Sequence, residues 1–178
     1  MQINPEFVYP AAASVCAAMG SITDVRSRRV PNWLTGPSIL IGLALHFAFG
    51  GWHGMFVAAA AGLICGAIFL VFFIAGGMGA GDVKLITAIG CLVGMSNIVS
   101  VLALTAIAGG VMAVALAVSR GQLKQTLFNV GALASHHTTQ GLKPHPELNV
   151  LNKNTLRLPY ALAIAAGTII TFYLQGAR

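Results

Sequence analysis

Apolar stretches long enough to cross a bilayer recur from end to end of this chain, with almost no charge inside them. No motif constrains the fold as much as that pattern. A helix crossing the hydrocarbon core needs about 20 mostly apolar residues, fewer where neighbouring helices bury its ends. Six stretches qualify: residues 7–23, 33–49, 55–75, 83–94, 98–119 and 158–174. The expected fold class is an all-α integral membrane protein. One domain over residues 1–178 would form a bundle of six transmembrane helices, with a cytoplasmic segment at 120–157 between the fifth and sixth. The fourth stretch is short and bounded by glycines, so a buried short helix or a re-entrant element fits it equally well.

Composition narrows the function classes. Charged residues make up 8% of the chain, against about a quarter in a soluble domain. The formal charge of +6 does not point to nucleic acid, because the basic residues flank apolar runs, where they orient a membrane protein. Cys16, Cys65 and Cys91 lie inside apolar runs without a CxxC pair or a His partner, and read as small buried thiols. Met1 to Glu6 carries no positive charge ahead of the first run, so that run is expected to be retained rather than cleaved.

Sidedness follows from the basic residues. Arg26, Arg28 and Arg29 lie between the first two runs, Lys84 opens the fourth, and Arg120, Lys124, Lys143, Lys153 and Arg157 follow the fifth. Gly50 to Gly54 and Met95 to Asn97 carry none. This alternation predicts a non-cytoplasmic N-terminus and basic loops on the cytoplasmic side. Leu123, Leu127, Val130 and Ala134 share one helical stripe, which predicts an amphipathic helix on the inner leaflet over residues 120–134. From Ser135 to Asn154 the composition turns polar, with Gly141, Pro144 and Pro146, and a loop is expected. Gly62-x-x-x-Gly66 and Gly90-x-x-x-Gly94 are spacings that allow close helix packing.

The chain has only four carboxylates, and two of them sit at the edges of apolar runs. Asp24 follows the first and Asp82 opens the fourth, so the predicted topology puts both near the same face. An ionisable group at membrane depth faces a protein interior or a wet cavity rather than lipid. Two carboxyls brought close cannot both ionise easily, so one keeps a proton. The ionised partner can then activate water while the protonated one donates to a carbonyl or leaving amine. Plainer roles are open too: Asp82 as an N-cap, and Asp24 paired with Arg26 or Arg28. Gly76-Gly77-Met78-Gly79-Ala80-Gly81 is too small and flexible to continue a helix, and it could let another backbone approach Asp82.

Gly79-Ala80-Gly81-Asp82 followed by Val83-Lys84-Leu85 resembles the GxGD signature of membrane aspartic peptidases, in the form seen in type IV prepilin peptidases. Asp24 to Asn32, an aspartate followed by basic residues and a Val-Pro-Asn step, is similar to that family's other aspartate motif. Leu158-Pro159-Tyr160 resembles the Pro-Tyr segment that starts its last span. The resemblance implies an inner-membrane endopeptidase that cuts a basic leader from prepilin or pseudopilin precursors at the cytoplasmic face. Asp24 and Asp82 would then be the catalytic pair, with Gly79, Gly81, Lys84 and Asn32 shaping the site. Larger members carry a CxxC-bearing insertion and also N-methylate the new terminus. Here about nine residues separate the first two runs and no CxxC exists, which argues against zinc and against methyl transfer. The small architecture resembles the minimal members of tight-adherence (Flp-type) pilus systems.

The remaining polar residues have plainer readings. Lys84 lies two positions from Asp82, should face elsewhere on a helix, and is expected to meet a lipid headgroup. The three arginines are assigned to topology and anionic lipids, and Asn32 to a hydrogen bond near the site. His136, His137 and His145 have only Glu147 as a companion carboxylate and read as a solvated loop, so no metal or cofactor is expected. His46 and His53 have no visible partner, and Ser14 and Ser38 lack triad companions. Trp33, Trp52 and Tyr160 fit interfacial anchors. Expected partners are precursor substrates, anionic lipids and pilus-assembly components. The rival readings are a small transporter or channel subunit using the aspartates for cations, and an inactive assembly scaffold.

Overall fold

The structure, a computed structural model, describes residues 5–141, 143 and 159–176. These form α1 (Pro5–Ser27), α2 (Asn32–Ile74), α3 (Ala80–Val93), α4 (Ile98–Ser119), α5 (Leu123–Gln140) and α6 (Tyr160–Gly176), with no strand among the described residues. The all-α expectation holds. α2 and α4 are each long and apolar enough to cross a membrane. Their outward faces are apolar: Leu63 on α2 is 71% exposed and Val99 on α4 is 73% exposed. So much exposed hydrocarbon suits a lipid environment rather than water.

The second and third apolar runs are joined without the loop expected at Gly50 to Gly54. Helical geometry is broken only at Gly51, whose φ of 60° and ψ of −155° are open to glycine and closed to other residues. The chain doubles back there. A Cβ on Gly54 would clash with the His46 carbonyl, although eight residues of straight helix would separate the two by about 12 Å. α2 is therefore a two-limbed hairpin, and the Phe47 and Trp52 rings meet edge-to-face at 5.1 Å beside the bend.

α3 fills the space between the limbs. Leu85, Ile86, Ala88 and Ile89 are fully buried, and the helix also touches α1 and α6. At 14 residues it is about 21 Å long, shorter than the hydrocarbon core, and neighbouring helices rather than lipid cover it. Its fit depends on small residues. A Cβ on Gly42 would lie 2.7 Å from the Cys91 carbonyl oxygen, and one on Gly90 would lie 2.9 Å from the backbone of Ala61 and Gly62. Gly62 and Gly66 face Cys91 and Thr87, so the glycine spacing of α2 packs directly on α3. Gly94 departs from the expected pattern. With φ +74° it caps α3, its N–H donating to the Gly90 carbonyl at 3.0 Å, and it faces the His46 ring.

At the other end of the hairpin, α2 closes with a Schellman motif. Gly77 N–H donates to the Phe72 carbonyl at 2.9 Å and Gly76 N–H to the Phe73 carbonyl at 3.0 Å, with Gly76 at φ 78°. α6 crosses α4 where Gly167 meets Thr105. α5 stands apart from the core, and Val130 on its apolar stripe is 59% exposed. The polar turn at Ser135 does not end it as expected. α5 continues through His136 to Gln140 and stops at Gly141, whose φ of 67° is the stop signal. His145, Glu147 and most of the expected loop lie outside the described residues.

Backbone cannot move aside as a flexible side chain can. Gly90→Val should therefore cost about 1–3 kcal/mol or more, read as a lower melting temperature in detergent. Gly110, where an added Cβ meets nothing within 4 Å, should gain about 0.5–1 kcal/mol on change to Ala. Equal effects at the two positions would mean that α3 is not held by close packing.

Candidate active site

Asp24 lies in the last turn of α1. Arg28 N–H donates to its backbone carbonyl at 2.7 Å, and Arg28 itself turns the chain out of the helix at φ 53°. That left-handed conformation costs a non-glycine residue about 1–2 kcal/mol. The turn carries Arg28, Arg29 and Val30 across the start of α3, and Pro31 then opens α2. Val30 is buried, and its backbone N, Cβ and Cγ2 all lie 3.3 Å from where a Cβ on Gly81 would stand. The backbone that the missing side chain admits here is the protein's own.

Asp82 is the third residue of α3. Its Oδ2 accepts the Gly79 N–H at 3.1 Å, and its own N–H donates to the Gly79 carbonyl at 3.1 Å. This is half of a capping box, since glycine has no side chain to return the bond. The N-cap reading is thus partly right. It does not exhaust the residue, because a cap is normally solvated and Asp82 is only 8% exposed.

Both aspartates line one cleft of about 360 Å³, together with Arg28, Arg29, Val30, Gly79, Ala80, Gly81 and Lys84. No ion pair joins either carboxylate to an arginine or lysine among the described residues, so the plainer alternative of an Asp24–Arg26 or Asp24–Arg28 pair is not seen. Burial pushes the Asp82 carboxyl up to about 6, the charge of Asp24 pushes in the same direction, and the Gly79 N–H opposes both. Burial also raises Asp24. A cleft holding two carboxyls without a counterion retains a proton that water would remove.

Lys84 departs from expectation. It lines the same cleft as Asp82, and its Nζ donates to Asn32 Oδ1 at 2.9 Å, which ties the start of α2 to the start of α3. Lys84 is the fifth residue of α3, and its long side chain spans the gap to the first residue of α2. Asn32, expected to make a hydrogen bond near the site, accepts one from Lys84, and it stands beside the cleft rather than in its wall. Arg28 and Arg29, expected to serve topology and lipid, form part of that wall. Tyr160, expected at an interface, opens α6 close enough to Asp82 for the two groups to interact electrostatically. Its place beside Pro159 in the third motif is the sequence signal that points to it.

The geometry defines a helical membrane protein whose polar cleft holds an acidic pair contributed by two helices. The sequence model of the type IV leader peptidase family matches residues 11–114 of this chain, a segment that includes both aspartates, and the protein belongs to that family. No curated protein and no solved structure matches the chain.

Burial of Asp82 gives a sign-determined stability effect. Its folded value lies above the ordinary 3.8, so the folded state holds a proton that the unfolded chain releases. The resulting penalty is absent below the ordinary value and complete above about 6. Asp82→Asn should therefore melt higher than wild type at about pH 7.5, by no more than about 3 kcal/mol. That gain should vanish as the pH falls below 4. A gain independent of pH would show that a buried charge is not its source.

Proposed function

We propose that this protein is a membrane aspartic endopeptidase that removes the basic leader from type IV prepilin-like or pseudopilin precursors. One observation carries the reading: Asp24 and Asp82, far apart in sequence, line one cleft, and the charge of Asp24 helps to raise the Asp82 carboxyl. The ionised carboxyl takes a proton from water, whose oxygen attacks the scissile carbonyl carbon as the protonated carboxyl donates to the carbonyl oxygen. Collapse of the tetrahedral intermediate breaks the C–N bond: the acid formed in the first step protonates the departing amine, and the other carboxylate takes a hydroxyl proton from the gem-diol, which restores the starting pair. Because the two groups titrate jointly, base and acid are roles of the pair.

The same reading sets the protein in the bacterial inner membrane with six crossings, two of them made by the limbs of α2, and with a non-cytoplasmic N-terminus. Arg26, Arg28, Arg29 and Lys84 all lie at one end of the bundle, and the positive-inside rule assigns that end to the cytoplasm. Exposed Arg26 suits anionic headgroups. The compact chain suits a tight-adherence pilus system, where assembly components would be its neighbours. A transporter reading fits less well, since such a site belongs near the bilayer midplane, whereas both aspartates stand at helix ends.

Co-expression with a prepilin precursor, followed by mass measurement, tests the proposal. Wild type should release the leader, and Asp24→Asn and Asp82→Asn should each reduce cleavage by about 10²–10⁴-fold while remaining inserted. An inactive scaffold would leave the leader in place in every case. For the free enzyme, kcat/KM should be highest at mildly acidic pH. It should fall as the pH rises through about 6, where Asp82 loses its proton, and fall again in acid once Asp24 is also protonated. A profile flat across pH 6 would remove the shared-proton mechanism.

A further inference from the structure

A second cavity of about 400 Å³ lies beside the aspartate cleft, between the first limb of α2 and α3. Asn32 and Lys84 mark its head, and Lys84 also lines the cleft, so the two spaces meet at the Lys84–Asn32 hydrogen bond. From there the groove follows Thr35, Gly36 and Ile39 along α2 and Val83 and Thr87 along α3. The seven-residue step from Asn32 to Ile39 corresponds to about 10 Å of helix, or two turns. The direction is into the apolar part of both helices, away from the charged end.

The walls of the two spaces differ in kind. The cleft presents carboxylates, guanidinium groups and an ammonium, whereas the groove below its head is almost wholly apolar. The Thr87 hydroxyl is already engaged, donating to the Val83 carbonyl at 2.7 Å. An extended peptide lying below the groove's head would find the Thr35 hydroxyl and little else for its backbone N–H and C=O groups, while a helix brings its own. Gly36 leaves room for such a visitor: a Cβ placed on it would meet nothing within 4 Å.

We propose that this groove seats the first two turns of an apolar helix continuing the substrate chain directly after the scissile bond. The proposal rests on the peptidase reading and adds where the product side of the substrate lies. A chain cut between Asp24 and Asp82 must leave the cleft in two directions. One passes Arg28 and Arg29 into the polar exterior; the other passes Lys84 into the groove. A stretch of two turns matches the groove's length, and its contiguity with the cleft distinguishes a substrate from an unconnected lipid tail. Selection then acts on side-chain bulk in those turns, against the face that Gly36 leaves open.

The test uses full-length Asp82→Asn protein in liposomes and a synthetic peptide with a basic leader, a Gly and an apolar helix of about 20 residues, enough to span the bilayer. Single cysteines are placed in the leader or in the second turn after the Gly. Under mild oxidation Gly36→Cys should cross-link to the second-turn cysteine at least tenfold more than to the leader cysteine. It should also exceed by tenfold the yield from Leu40→Cys, at a position on α2 that is 68% exposed. Equal yields from Gly36→Cys and Leu40→Cys would overturn the proposal and leave the groove to lipid. Preferential capture of the leader cysteine would overturn it as well. Wild-type protein acting on the same peptide separates the two levels. Cleavage without selective cross-linking removes the groove and keeps the peptidase. Selective cross-linking without cleavage does the reverse.

Discussion

Backbone-to-backbone contact between α3 and the two limbs of α2 is the constraint from which the site follows. Glycines at 42, 62 and 90 bring main chain against main chain at distances no Cβ would allow, so α3 can neither slide nor roll without a clash. A short helix in a membrane bundle has little apolar length with which to hold its own depth. Close packing supplies that hold where hydrophobic burial cannot, because lipid is as apolar as the helix it would replace. The N-terminus of α3 is fixed in consequence, and Asp82 with it. Gly20 serves the same end from α1, where a Cβ would strike the Leu85 side chain. The helices that carry the two aspartates therefore share a contact independent of the cleft.

Two opposing influences then act on Asp82. Burial and the neighbouring Asp24 favour the protonated carboxyl, and the Gly79 N–H at the helix start favours the carboxylate. The first pair wins, so the group holds its proton to about 6. A fully solvated cap would titrate like an ordinary aspartate, and a salt-bridged one would titrate lower still. Neither could share a proton near neutrality. Among the described residues no ion pair joins either carboxylate to the nearby arginines and lysine, so no close cation opposes the rise. Arg28 and Arg29 line the wall without neutralising it.

How much of this the sequence discloses depends on the range of each cause. The aspartates, their helix edges and the small-residue packing of α2 on α3 are legible, because each rests on a local pattern with one strong physical meaning. The bend of α2 is less so. Gly50-Gly51 inside an apolar run announces a break, but only the fold shows that one residue suffices and that the limbs lie antiparallel. The end of α5 is misjudged when polarity at Ser135 is given more weight than Gly141. Hydroxyls within a helix can donate to its own carbonyls, as Thr138 does to Ser135 at 2.8 Å. Lys84 escapes helical spacing because that spacing assigns a direction to Cβ and not to the end of a long side chain. The approaches of Val30 to Gly81 and of Tyr160 to Asp82 join segments far apart in the chain, and no window of sequence contains them.

The strained turn at Arg28 bears on why the cleft and the groove are separate. A left-handed non-glycine residue at a helix end persists only where neighbouring structure holds it. Val30, wedged against Gly81, supplies that hold two residues further along the chain. From that wedge Pro31 starts α2 at once, which places Asn32 where its amide oxygen accepts from Lys84. The same short passage thus lines one side of the cleft and sets the head of the groove. A longer or more flexible connection would leave the aspartates in place on their helices. It would lose the boundary between a polar space that can hold water and an apolar space that excludes it. The proposed hydrolysis of a membrane-borne chain would use both spaces, close to the bond that breaks.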